Sequence, residues 1–397
     1  MEDQLTQRPF DNFRSSVTNP DYFFGRQSLL QKICHYPLQV RILLGGRRAG
    51  KTSVLKMVQY QLLNSTQEFN KVFPIFIDLN QEQPQSLAAL RYLIITRAKE
   101  EFNMLSNSNL AFYQKAYKKL LGQITGAGVS VFGISLTVQN PDADRELTHE
   151  DFRQALLNFI KALRKKGFSG LCLMFDNADF IVKQDWSNDA WSYFRGLKDT
   201  DTAIKPFLGL ILSGYRNLKD YQQQVGSPLL NIAEIDWVGV LEEKAAHTLI
   251  EQRCKDEHLE LIPEEIGWVK ELSGLHPYLT QQVVNILFDQ LVAGKQCLKN
   301  QLLYSLVRQF DRDFSSWWDE NLKSYGFSQS EQTVYKTLME IRSGGIEIIS
   351  QASDLSFGEV ADILEVLVGT GVIRQYEEEE YKIGSKLFEE WVTRESS

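Results

Sequence analysis

From Tyr22 onward the chain alternates short apolar runs with segments in which apolar residues recur every three to four positions. The runs are Val40–Leu44, Val72–Leu79, Leu171–Asp176, Phe207–Ser213 and Ile235–Val240. Each is apolar almost throughout rather than alternating, the pattern of strands covered by helices on both faces. Helical patterns lie between them, over Ser53–Leu63, Pro84–Glu101, Leu110–Leu121, His149–Lys166 and Asp185–Leu197. This alternation predicts an α/β fold on a parallel sheet.

Residues 122–139, GQITGAGVSVFGISLTVQ, break the pattern. β-Branched residues at alternate positions and Gly133 at a plausible turn predict a hairpin inserted into the core. After Val240 the pattern is helical as far as Gly294, then less regular through 327, with a Trp317–Trp318 pair. A compact unit follows: helix Ser330–Arg342, a break at Gly344–Gly345, strand Ile346–Ile349 and helix Phe357–Gly369. A hairpin of Val372–Tyr376 and Tyr381–Ile383 around Glu377–Glu380, then a last helix ending near Thr393, completes a winged-helix arrangement. The expected divisions are an irregular lead-in at 1–20, an α/β core at 21–240, a helical region at 241–327 and a winged helix at 328–397.

Composition narrows the class. With 397 residues, 43% hydrophobic and 24% charged, the chain is an ordinary folded protein of two to three domains. It has no apolar stretch near the ~20 residues of a membrane helix and no secretory signal pattern. Cys34, Cys172, Cys254 and Cys297 are scattered without a CxxC pair, which fits reduced thiols. A cytoplasmic protein without membrane contact is expected. The histidines show no metal spacing, and no Ser/His/Asp or Cys/His constellation suggests hydrolytic or thiol chemistry. Charge is segregated: residues 328–397 hold fourteen Asp/Glu against six Lys/Arg, a net −8 equal to that of the whole chain.

The chemistry centres on Gly45-Gly-Arg-Arg-Ala-Gly-Lys-Thr52, a GxxxxGK[ST] loop between strand VRILL and helix SVLKMVQYQLL. Gly45 and Gly50 let the backbone wrap phosphates, so that amide N–H groups and the helix N-terminus face negative charge; Gly46, Ala49 and Ser53 are further expected binding positions. Lys51 is expected to reach β- and γ-phosphate oxygens, and Thr52 to offer its hydroxyl to Mg²⁺. Arg47 and Arg48 either touch phosphate or face a neighbour. Asp176, ending the apolar run LCLMF, is the expected second Mg²⁺ ligand. Asn177 follows it, where ATPases of this general type carry a glutamate that polarises water. An amide is no general base, so tight nucleotide binding with slow hydrolysis is expected. Asp179 could stand in for the missing carboxylate. Ser213 and Arg216, at the end of the next strand, could sense the γ-phosphate, although Arg216 could equally be an exposed loop residue.

With these residues in hand, the chain resembles the AAA+-like and STAND ATPases, especially the archaeal-type ATPase group. Phe23-Phe24-Gly25-Arg26 looks like the element that packs near adenine. The P-loop, the Asp176 strand and Ser213–Arg216 match in order and context. Ser227-Pro-Leu-Leu-Asn-Ile, the Ile235 strand and the Glu242 helix are similar to the passage into a helical lid. Ser273-Gly-Leu-His-Pro277 looks like the motif whose proline approaches nucleotide, with Gly274 one residue further from Pro277 than usual. The resemblance implies a P-loop core with strand order 5-1-4-3-2, a helical lid, a C-terminal winged helix, and ATP/ADP with Mg²⁺ as ligands. It also implies a nucleotide-dependent switch that forms a homo-oligomer and signals, as in regulation or defence. The four segments fill the whole length, so the effector or sensor is expected on a separate protein. A DNA-associated ATPase is the alternative, and a plain remodelling hydrolase a third. DNA binding by the winged helix is disfavoured because FGEVADILEVLVGTG carries Glu359, Asp362 and Glu365 and no basic residue.

Overall fold

The computed structural model describes residues 16–65, 71–106, 147–216, 218, 229–294, 298–319, 326–376 and 379–395. The expected helix at 110–121 and hairpin at 122–139 lie outside them, as do most of the lead-in and Glu377–Glu378 of the wing turn. Among the described residues, five strands make the central sheet: β1 (Val40–Leu44), β2 (Val72–Asp78), β3 (Gly170–Asp176), β4 (Leu208–Gly214) and β5 (Glu234–Trp237). All pair in parallel, in the order β2-β3-β4-β1-β5, which is the expected 5-1-4-3-2 read from the other edge. Every residue of β1, β3 and β4 is buried, because helices cover both faces of the sheet.

The edge strand β5 is more polar than expected and stops at Trp237. Its Glu234 and Asp236 carboxylates accept from the Arg41 guanidinium at 2.7 and 3.1 Å, so a cation inside the buried β1 is paired. Val238 N–H donates to Leu44 C=O, and the chain leaves the sheet there.

Beyond the sheet come helices Glu243–Glu257, Pro263–Ser273, Pro277–Val292, Lys299–Gln309 and Asp311–Trp318. The C-terminal unit consists of helices Gln329–Ile341, Ile346–Ser353, Phe357–Thr370 and Lys386–Glu395 with a small sheet in the order β6 (Ser343–Gly344), β8 (Glu380–Ile383), β7 (Ile373–Tyr376). The stretch expected as strand Ile346–Ile349 is therefore helical, and Ser343–Gly344 is the strand. Three isoleucines read as a β-run, but Ile346 and Ile349, three positions apart, pack on the core while Glu347 and Ile348 between them are exposed, a helical division of faces.

One apolar cluster runs from Ile250 through Phe314 and Trp317 to Phe388, Trp391 and Val392. Phe388 stacks on Trp391, and both rings meet Phe314. Helical region and winged helix thus share a core across position 328. The sheet has its own core on each face. No described helix is long and apolar enough to cross a membrane.

Candidate phosphate site

Two glycines shape the loop after β1. Gly50 has φ +93° and caps helix Lys51–Leu63, a backbone that L side chains avoid. Gly45 faces Val238 C=O, which a Cβ would approach to 2.7 Å. Lys51 is buried, and its ammonium donates to Gly45 C=O and Gly46 C=O at 3.0 Å each while lying 4.0 Å from the Tyr215 ring centroid. Burial pushes its pKa down to about 8 against the pull of Asp179 and Asp176. Among the described residues no carboxylate lies within ion-pair distance of it, so this cation is met only by weak acceptors. That is the environment an incoming phosphate oxygen would improve.

The Thr52 hydroxyl donates to Asp176 Oδ2 at 2.5 Å, and Ser213 donates to Asp176 Oδ1. Thr52 and Asp176 are hard oxygen donors brought together from helix and strand, and they fit a Mg²⁺ ion that keeps several waters. Asn177 adopts φ +56°, a left-handed conformation that asparagine tolerates better than glutamate. Its Nδ2 donates to Asp78 Oδ1 at 2.9 Å. Asp179 is buried, and both its oxygens accept the Tyr215 N–H at 3.0 Å. Burial raises its pKa to about 6 despite that hydrogen bond and the nearby Lys51.

A cavity of about 670 Å³ opens in front of this loop. Arg48, Gly50, Lys51, Thr52, Ser53 and Asn177 line the end nearest the loop, and Val17, Tyr22, Phe23, Phe24, Leu241 and Pro277 give it apolar walls. Gly25 has φ +74°, and a Cβ there would meet Glu242 Oε2. This turn aims the buried Arg26 guanidinium at Ala49 C=O and at Gly239 C=O, the latter 2.8 Å away. Arg26 therefore ties the loop tip to the start of the helical region. Ser53 Oγ accepts the Val17 N–H at 2.9 Å, drawing the lead-in over the loop. Pro277 still reaches the cavity despite the extra residue after Gly274, because Gly274 and Leu275 both turn left-handed (φ +60° and +63°).

The other face of the loop is clamped by the C-terminal half. Gly46 abuts Thr370, whose carbonyl oxygen would lie 2.7 Å from a Cβ. Arg47 donates to Ser316 Oγ at 3.2 Å. Arg48 lies 3.5 Å from Asp313 and 4.1 Å from the Tyr278 ring centroid. Arg216, two residues past β4, pairs with Glu331, which also accepts the Ser328 N–H that starts helix Gln329–Ile341.

His276 sits at this junction, buried against Trp317, with Arg26, Arg48 and Lys51 around it. Desolvation first, then these cations, push its pKa down to about 3, although the Arg47 backbone offsets part of this. Between that value and the ordinary ~6.5, the unfolded chain holds a proton that the folded one refuses, so stability falls as pH drops. His276 alone is expected to contribute a loss of about 2 kcal/mol from near pH 7.5 to pH 5, at ~1.4 kcal/mol per unit, offset in part by buried Asp179, whose raised pKa acts in the opposite direction. Urea unfolding of wild type and His276→Gln checks this, with a smaller loss in the variant.

The structure therefore gathers the loop residues, Asp176, Ser213, Asn177, Phe24, Arg26 and Pro277 around one cavity and its floor. Gly25 acts through its turn, while Arg47 and Arg216 face the C-terminal half. Three residues escaped the sequence reading. Nothing in the sequence singles out Tyr215 between Gly214 and Arg216, and Glu331 reads as an ordinary capping-box residue. Asp78 had a visible signal, a carboxylate ending an apolar strand as Asp176 does.

No family model matches the chain, and no curated protein matches it. Among solved structures, it is similar along its length to the Walker-type ATPase PABY2304 of Pyrococcus abyssi, at 16% identity and TM-score 0.59, covering 96% of this chain and 98% of that one. The ORC2 protein of Aeropyrum pernix, in ADPNP–ADP complexes, aligns at 9% identity and TM-score 0.46 over 98% and 99% of the two chains. A RuvB variant of Thermotoga maritima aligns at 12% identity and TM-score 0.38 over 95% and 97%. By its sheet order, its loop and the first of these likenesses, the chain has an α/β P-loop fold like that of the Walker-type ATPase.

Proposed function

We infer that this protein binds ATP and ADP with Mg²⁺ and acts as a nucleotide-dependent switch with slow hydrolysis. The observation that carries the reading is the clamp on the phosphate loop: Gly46 against Thr370, with Arg216 held by Glu331. A triphosphate has to share Lys51 and the loop backbone with that clamp. Gly214, just before Tyr215 and Arg216, pairs in register with Leu44, just before the loop. A γ-phosphate would therefore compete with Glu331 for the Arg216 guanidinium and loosen the C-terminal unit. Likeness in fold to a protein described as a Walker-type ATPase supports nucleotide binding.

The released surfaces would assemble copies of this chain and engage a separately encoded effector or sensor. Signalling or defence is the setting that fits such a device. DNA binding by the winged helix remains disfavoured on charge, and helix Phe357–Thr370 is also engaged elsewhere. Its Glu365 accepts from Trp237 at 2.9 Å, and Gly369 packs on the same indole. Size-exclusion chromatography with ADP, ATP and a non-hydrolysable analogue tests the switch. A larger species with the ATP analogue is expected, and Glu331→Ala should form it at lower analogue concentration, by about 3–10-fold for the loss of one charge-assisted contact. Identical elution in all three nucleotides would contradict the reading.

A further inference from the structure

The position after Asp176 lacks a carboxylate, yet one stands beside it. Asp78 ends β2 as Asp176 ends β3, and the two are register partners on adjacent strands. Asp78 Oδ1 accepts Nδ2–H of Asn177 at 2.9 Å. A carboxylate can only accept here, so the amide nitrogen has to face Asp78 and the amide oxygen is left pointing away from it. Asn177 also lines the cavity in front of Lys51 and Thr52. Its backbone is fixed as well, by the left-handed turn and by its own N–H, which donates to Asp176 Oδ1 at 3.1 Å.

We propose that Asp78 is a positioning residue for ATP hydrolysis, holding the Asn177 amide so that its oxygen orients the attacking water. This rests on the nucleotide-binding reading given above and adds where the slow hydrolysis comes from. The water oxygen bonds to the γ-phosphorus, and the β–γ bridging bond breaks with its electron pair leaving on ADP. The water proton goes to a phosphate oxygen or to solvent, because the amide accepts a hydrogen bond but no proton at neutral pH. Neither Asp78 nor Asn177 needs to change charge, which suits a slow clock rather than a fast hydrolase.

The same pair explains why a simple repair of position 177 should fail. A carboxylate placed there would face Asp78 at hydrogen-bond distance, and two carboxylates so close cannot both stay ionised. Exchanging the two residue types would keep one donor and one acceptor and move the charge toward the cavity.

The test measures kcat, KM and ADP affinity for wild type and four variants. Asp78→Ser retains a side-chain oxygen to cap helix Leu79–Glu82, as Asp78 does now for the Asn80 N–H at 3.0 Å, but withdraws the partner of Asn177. It should lower kcat about tenfold or more with ADP affinity within about twofold. Asn177→Asp and Asp78→Asn should each lie at or below wild type, whereas Asp78→Asn/Asn177→Asp together should equal or exceed it, a coupling that a merely structural role would not give. Unchanged kcat in Asp78→Ser, or additive effects in the double variant, would overturn the proposal. So would a wild type that binds ATP without turnover above background, which leaves the switch intact. Absence of any nucleotide binding by the wild type would instead remove the reading on which the proposal rests.

Discussion

Replacing Gly369 by alanine is expected to pry the C-terminal unit from the core. An alanine Cβ would lie 2.2 Å from two atoms of the Trp237 indole, a rigid ring at the end of β5. Overpacking of this kind typically costs about 1–3 kcal/mol. Alanine favours a helix interior over glycine by about 1 kcal/mol, so helix Phe357–Thr370 itself should be no weaker. The damage therefore falls on the interface. Gly358 lies in the same helix with nothing within 4 Å of a Cβ, and Gly358→Ala is the matched control. Limited proteolysis and the hydrodynamic radius should show an opened molecule in Gly369→Ala and an unaltered one in Gly358→Ala. An opened Gly369→Ala protein should also bind the non-hydrolysable ATP analogue more tightly, because the analogue no longer has to displace the clamp.

Lys51→Met should have opposite effects on the two forms of the protein. Nucleotide affinity should fall by about 100- to 1,000-fold, the loss of two charge-assisted hydrogen bonds at about 1.5–3 kcal/mol each being partly offset by water. Without nucleotide the variant should be more stable by about 1–3 kcal/mol, because a buried ammonium held near pKa 8 is replaced by an apolar chain of similar length. Thermal unfolding with and without Mg²⁺-ATP separates the effects. Wild type should gain stability with ligand, and the variant should start higher and gain nothing. A variant destabilised without nucleotide would mean that Lys51 serves the fold rather than a phosphate.

The sheet was legible because β1, β3 and β4 are buried on both faces and read as unbroken apolar runs. The loop was legible because Gly50, Lys51 and Thr52 are each required by local geometry or charge. What could not be read is what crosses between distant segments. Glu331 starts a helix by an ordinary capping box, and only the tertiary structure brings Arg216 to it. Arg47 and Arg48 could have faced phosphate or protein; Arg48 lines the cavity and both reach Ser316 or Asp313. The expected strand at Ile346–Ile349 gives way to a helix for a more local reason. A short isoleucine-rich run carries too little period to separate helix from strand, and packing decided.

Position 177 shows the same limit at a single residue. The sequence displays a missing carboxylate after Asp176, whereas the structure supplies Asp78 from the neighbouring strand, ninety-nine residues away. Sheet register, not spacing along the chain, makes that pair.

The central claim is that nucleotide at Lys51 governs whether the C-terminal unit stays on the loop. Hydrogen exchange at the backbone amides of residues 367–373, where helix Phe357–Thr370 ends against Gly46 and Trp237, measures this most directly. With Mg²⁺ and a non-hydrolysable ATP analogue, these amides should exchange faster than in nucleotide-free protein, while those of β3 and β4 stay protected. Unchanged protection at 367–373 in a sample that calorimetry shows to be saturated with the analogue would contradict the account.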